Sequence, residues 1–363
     1  MKMLRNILPG MLAVIAVGCN DGIDPISPVD QGTDTTAPTV TITYPDKAKI
    51  VIPFTEDKTS MDFKMEVLDD VELKSITLSL NNSNLATFDN FPDYRRALKS
   101  YLYNDLPVGH YTLKIVATDL TDKVTTKTLD FEISNIYEAR YPGEFFYMPF
   151  EGGVYLDLLS KRNATEVGSP SFADGKFGKA YAGAIGAYLT FPTDTIVKYK
   201  EFSATMWYKL NATPDRAGIL VIGPPDPAPE APGKPNNRKN GFRFFREGSA
   251  SNQNLALNVG IGTDEQWYNN TPAMQLNPAS AGWTHLAYTI SQTKCVVYVN
   301  GEIAKEGDSA GINWSGCDIL SIASGAPRFT GWDHLSDVSL YDEIRFHKVA
   351  LTQEDIKKIM EDK

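Results

Sequence analysis

"SDVSLYDEIRFHKVALTQEDIKKIM", Ser336 to Met360, is the stretch on which the fold reading turns. It changes period midway. Val338, Leu340, Ile344 and Phe346 share one parity, as a strand with one buried face requires. From Thr352 onward the spacing is helical, with Ile356, Ile359 and Met360 on one stripe. Thr352 can cap that helix, Asp355 three residues on completes a variant capping box, and Leu351 and Ile356 can form the hydrophobic staple. One residue breaks the strand pattern: Asp342 lies on the apolar parity. An isolated ionised carboxylate in a dry core is too costly to persist. Asp342 must therefore be protonated, hydrogen-bonded to backbone donors, paired with a cation or bound to metal, unless a bulge near Tyr341 turns it outward.

Alternation continues upstream. "EFSATMWYKL" (201–210) and "GWTHLAYTIS" (282–291) read as strands, and "KCVVYVNGEIAKEG" (294–307) as a hairpin turning at Asn300-Gly301. Asn-Gly suits a two-residue hairpin because both turn positions need positive φ. Nearer the N-terminus, "PTVTITYP" (38–45), "MDFKMEVLDD" (61–70), "LKSITLSLNN" (73–82) and "GHYTLKIVATDLTDKVTTKTLDFEIS" (109–134) alternate at the spacing of a β-sandwich. Residues 37–135 form a first domain that resembles bacterial immunoglobulin-like or fibronectin-like modules, without a Cys–Trp–Cys core. Its role reads as a spacer. Asp69, Asp70 and Asp119 are calcium candidates there, or simply acids that favour turns.

After the junction "NIYEARYPGE" (135–144), residues 145–363 carry a second resemblance. "DGKFGKAYAGAIGAYLTFP" (174–192), "FSATMWYKL", "GWTHLAYTI", "VVYVNGE" and "YDEIRFHKVALTQEDI" resemble, in order, the landmarks of laminin-G-like, concanavalin A-like jelly rolls. The expected class is all-β: an immunoglobulin-like sandwich, then a concanavalin A-like sandwich with a short C-terminal helix. The resemblance implies two antiparallel sheets, a concave face, frequent calcium sites, and carbohydrate or protein ligands. It also implies a structural Ca²⁺ beside Asp342, tying the last strand to the first, "FFYMPFEGGVYLD" (145–157), where Glu151 precedes two glycines. Ca²⁺ takes six to eight oxygens. The alternative is an Asp342 that accepts backbone hydrogen bonds.

Sugars present flat C–H faces rimmed by hydroxyls, so exposed aromatics beside amides and acids suit them. "IGTDEQWYNNTP" (261–272) offers Asp264, Trp267, Tyr268 and Asn269 on a loop-like stretch, with Trp267 the leading candidate. Trp314 and Trp332 sit near other turns, whereas Trp207 and Trp283 fall within strands and read as core. "GPPDPAPEAPGKPNNRKNG" (223–241) reads as a solvated loop or a binding rim, from which Arg238 or Arg243 could meet a charged sugar. Catalytic signals are thin. Concanavalin-like glycosidases pair acids on one face of a strand; Asp342 and Glu343, adjacent in a strand, point to opposite faces. The histidines 110, 285, 334 and 347 have no zinc spacing, and no nucleophile elbow or phosphate loop occurs.

The first residues set the address. Lys2 and Arg5 precede an apolar run, so 1–18 reads as a signal peptide. "AVGC" resembles the bacterial lipobox, with Ala16 where Leu is usual, and implies lipid on Cys19. The acidic, Pro- and Thr-rich stretch 19–36 is a tether, similar to the export signals of Bacteroidetes surface lipoproteins. The resemblance implies display on the outer membrane at the cell surface. Net charge is −10, or −12 once residues 1–18 with their two basic groups are removed. That argues against nucleic acid. Cys295 and Cys317 can pair or remain two buried thiols; spacing does not choose. The expected role is non-catalytic capture of a polysaccharide or oligosaccharide, feeding an uptake system. A protein-binding adhesin, a subunit of an outer-membrane transporter complex, and a glycoside hydrolase or lyase are the competing classes.

Overall fold

The computed structural model describes residues 33–225, 238–280 and 282–362. The signal peptide, Cys19 and most of the tether lie outside them, as does most of the proline-rich insertion. Contacts divide the chain into two units: Lys58–Ser134 with the stretch before Val51, and Asn135 onward with Val51–Asp57.

The first unit is built from two sheets. One orders Thr39–Tyr44, Lys58–Leu68 and Arg96–Pro107; the other orders Lys49–Val51, Val124–Ser134, Gly109–Asp119, Leu73–Leu80 and Ser83–Phe88. Alternate residues, among them Met61, Phe63, Met65 and Val67 opposite Ile76, Leu78, Leu113 and Ile115, are buried. Asp119 closes a turn, accepting from the backbone N–H groups of Thr121 and Lys123. Asp69 does the same for Val71 and Glu72.

The second unit is a two-sheet sandwich. One sheet runs Ser171–Asp174, Lys179–Ala182, Leu340–His347, Phe202–Lys209, Trp283–Ile290, Lys294–Val299, Glu302–Asp308, with Glu144–Met148 also on Leu340–His347. The other runs Thr165–Val167, Tyr188–Pro192, Ile319–Ile322, Arg216–Gly223, Phe242–Ser249, Asn252–Gly260, Glu265–Tyr268, with Gln275–Leu276 also on Asn252–Gly260. Their inner faces share one core, including Phe202, Met206, Phe242, Phe244, Leu257, Tyr288, Tyr341 and Phe346. Asn300 and Gly301 both adopt positive φ, as the hairpin turn demands. The C-terminal helix, Gln353–Glu361, has its capping box at Thr352 and Asp355. It docks Leu351, Ile356 and Ile359 against Tyr141, Ala287 and Tyr298 on the sheet's outer side.

A bulge resolves the anomaly of Asp342. Trp207 opposes Asp342 while Thr205 opposes Arg345, so Met206 faces two residues of the last strand. Glu343 takes φ 54 to accommodate the extra residue. Parity inverts there: Tyr341 enters the core before the bulge, and Ile344 and Phe346 after it. Leu340, expected inward, is half-buried on the other side. Asp342 joins Trp207 on the outer side, beneath the turn between Ser171–Asp174 and Lys179–Ala182. Trp207 is likewise buried but not in the sandwich core. Lys176 lies over its ring at 4.4 Å, and His285 meets it edge-on.

A buried ion pair holds the inner layer. Arg246 and Asp337 are both inaccessible to solvent and 2.8 Å apart. Arg246 also donates to Tyr208 Oη, the Pro214 carbonyl and Gln253 Oε1. Asp337 accepts from Tyr208, Tyr341 and Ser339. Every partner supplies the complementary group, which is the condition for burying such charges.

Candidate functional site

Strand register assembles the site on the outer face of the second sheet. Ser321 opposes Val221, Val221 opposes Arg243, Arg243 opposes Asn258, and Asn258 opposes Trp267. Directly opposed residues share a face, so these five form one row across the sheet. Gly218, Phe245 and Ala256 form the next. Val221, Phe245, Ala256 and Phe329 make a small apolar cluster distinct from the sandwich core.

Phe245 is the centre. Trp267 meets it edge-on with centroids 6.1 Å apart, Phe329 lies at 5.3 Å, and His334 at 4.4 Å. Phe329 and His334 arrive on the segment that follows Ile319–Ile322. Gly325 lets that segment fold tightly: its N–H donates to the His334 carbonyl at 2.7 Å. A Cβ at Gly325 would come within 2.4 Å of the carbonyl oxygens of both His334 and Phe329. Trp332 projects from the same segment, and its carbonyl accepts from Arg216. Trp267 is 40% exposed and Trp332 45%, the large aromatics left open here.

The rim is polar. Arg238 lies 5.7 Å from the Trp267 ring and binds Glu265 through two hydrogen bonds of 2.7 and 2.9 Å. Asn258 donates to the same carboxylate. Arg243 is fully buried and gives its Nη1 donors to the carbonyls of Arg238 and Asn240. Glu247 lies 3.2 Å from the His334 ring nitrogen, and that hydrogen bond holds its carboxyl below the usual range. The arrangement offers an aromatic shelf ringed by fixed dipoles, suited to the C–H face and hydroxyl rim of a sugar.

The expected binding residues separate. Trp267 and Arg243 belong to this face, Arg243 as its buried support, and Trp332 is exposed on the segment that brings Phe329 and His334 to it. Asp264 is exposed in the turn just before Glu265 and accepts from the Glu265 N–H; Asn269 is half-buried just beyond Tyr268. Tyr268 and Trp314 turn away. Tyr268 follows Trp267 in the strand, so it points into the core, with its hydroxyl donating to the Asp308 carbonyl at 2.6 Å. Trp314 packs against the same core and donates to the Tyr199 carbonyl. Sequence reading missed Phe245, Phe329, His334, Asn258 and Glu265. "FRFFRE" carries no local sign of which phenylalanine faces out.

The residues expected to hold calcium straddle one glycine hairpin. Asp342 Oδ2 accepts from the Phe177 N–H and Glu151 Oε1 from the Lys179 N–H, each at 3.0 Å. A Cβ at Gly175 would lie 2.6 Å from Asp342 Oδ2, and one at Gly178 2.0 Å from Glu151 Oε1, so glycine permits this approach. Each of those two oxygens meets an N–H donor, while Asp342 Oδ1 has no hydrogen-bond partner. Among the described residues no cluster of three acids, histidines or cysteines forms, so backbone carbonyls or water would have to complete a calcium shell here. Burial pushes the Asp342 carboxyl up to about 8, which favours its neutral form. Cys295 and Cys317 form no disulfide: both are buried free thiols. Burial raises both, Cys317 to about 12.

Domain 4 of AbnA, a GH43 extracellular arabinanase from Geobacillus stearothermophilus, solved with arabinotriose, is 19% identical over 61% of this chain and 99% of that one, with TM-score 0.45. The binding domain of botulinum neurotoxin DC in complex with SialylT is 12% identical over 60% of this chain and 50% of that one, TM-score 0.42. That of serotype C1 is 15% identical over 60% and 52%, TM-score 0.43. The chain thus spans about half the length of these toxin domains. No curated protein matches it. Residues 183–357 match the family described as the concanavalin A-like lectin/glucanases superfamily, and the second unit carries a domain of that kind.

Proposed function

We propose that this chain is a non-catalytic glycan-binding protein of a bacterial outer-membrane surface, anchored by lipid on Cys19 and feeding polysaccharide to an uptake system. The observation that carries the binding reading is Trp267: a half-open tryptophan, backed edge-on by Phe245 and ringed by amide, acid and guanidinium groups, on the outer face of a lectin-type sheet. The signal-like segment and the cysteine after Gly18 support the anchor. Confinement by an anchor makes a weak single site sufficient, because many copies engage one polymer. The test is Trp267→Ala on a panel of polysaccharides. Stacking contributes about 0.5–1.5 kcal/mol beyond burial, so binding should fall roughly tenfold or more with an unchanged melting temperature. Equal binding by both proteins refutes the site.

A protein-binding role has one observation of its own. In the first unit, Leu98 and Leu102 are 64% and 57% exposed on Arg96–Pro107, the outermost strand of its sheet. An edge of this kind accepts an added strand.

A further inference from the structure

We infer that the Trp267 face takes an uncharged glycan and discriminates against uronate and sulfated polymers; this rests on the glycan-binding reading above. The argument is the fate of each charge around the aromatic shelf. A carboxylate or sulfate ligand needs an available cationic fork. Arg238, the guanidinium nearest Trp267, already gives its Nε and Nη2 to the Glu265 carboxylate, which neutralises its charge. Freeing it would strand a largely buried carboxylate that Asn258 also holds. Losing such a pair costs on the order of tenfold or more in affinity.

The other guanidinium groups are engaged as well. Arg243 is fully buried, with its Nη1 on backbone carbonyls, and its Nη2 lies only 3.0 Å from where a Gly223 Cβ would stand. Arg328 makes a two-bond pair with Asp318 at 2.8 and 2.5 Å. Arg216 lies 4.0 Å from Asp215 and donates to the Trp332 carbonyl. His334 faces Glu247. Lys239 and Asp264, both exposed, bracket one turn through the Gly262–Lys239 and Ile261–Asp264 backbone bonds. Among the described residues each guanidinium on this face meets an acid or backbone carbonyls, and the whole chain is acidic. What remains open is apolar or dipolar, which matches a neutral pyranose or furanose ring and repays an anion nothing.

The experiment is affinity electrophoresis of the full chain through gels containing neutral polymers (arabinan, xylan, mannan, mixed-linkage glucan) or anionic ones (polygalacturonate, alginate, chondroitin sulfate). Each gel is run at about 20 and about 500 mM salt, since ion pairs with ligand screen over that range. The expected result is retardation by a neutral polymer, changing less than roughly twofold with salt and lost in Trp267→Ala. Glu265→Gln, which unmasks Arg238, should acquire salt-sensitive retardation by an anionic polymer. Trp267-dependent retardation of the unaltered chain by an anionic polymer, abolished at high salt, overturns the inference and leaves the glycan reading standing. Retardation by neither class overturns both.

Discussion

Removing the Asp337 carboxylate should cost several kcal/mol, and removing Arg246 with it should cost less than the two changes summed. Asp337 and Arg246 are fully buried, and Asp337 accepts from Arg246, Tyr208, Tyr341 and Ser339. Asp337→Ala leaves the guanidinium unpaired in the core. Breaking a buried pair in this way costs about 3–5 kcal/mol, and each stranded tyrosine hydroxyl adds roughly 1 kcal/mol. A total of about 5–7 kcal/mol is a large share of a domain's usual ~5–15 kcal/mol. Arg246→Met with Asp337→Leu removes both charges and fills the volume. Its cost should be at least about 2 kcal/mol below the sum of the two single changes. Urea denaturation followed by tryptophan fluorescence measures this cleanly, because all five tryptophans, from Trp207 to Trp332, lie in the second unit. A cost under about 1 kcal/mol for Asp337→Ala, or strict additivity in the double variant, would refute the reasoning.

Asp342→Asn should flatten the pH dependence of stability. With the folded carboxyl raised to about 8 and the unfolded one near 3.9, the folded state holds the extra proton between those values. Stability from this group is full below about pH 4 and falls by about 1.4 kcal/mol per unit until about pH 8. The variant should therefore gain on the parent as pH rises, and parallel curves would contradict that. Added Ca²⁺ should leave the parent's melting temperature unchanged; a rise would support the metal reading at Asp342 and Glu151. Cys295 and Cys317 should both be silent to a thiol reagent in the native protein and both react in denaturant. Loss of either signal after denaturation would mean a disulfide.

Much of the architecture was legible because it is local. Period-two alternation, the Asn300-Gly301 turn and the Thr352 capping box depend on neighbours within a few residues, and each appears where the sequence placed it. Asp342 shows the boundary. Its anomalous parity was visible, and so was the option of a bulge. Which option held depended on the opposing strand, since Met206 must face two residues for the parity to invert.

The candidate site crossed that boundary further. Sequence alone ranked Trp267 first, as an aromatic among polar residues, but kept Trp314 and Tyr268 beside it as binding candidates. Register, not composition, put Trp267 in one row with Asn258 and Arg243 and turned Tyr268 inward. The charge on Arg238 was visible from residue type; its cancellation required Glu265 to arrive from another strand. A strand's own sequence sets which residues alternate. Pairing across strands and packing of the two sheets decide which side meets water, because the free energy of burial belongs to the assembled layer and not to any one strand.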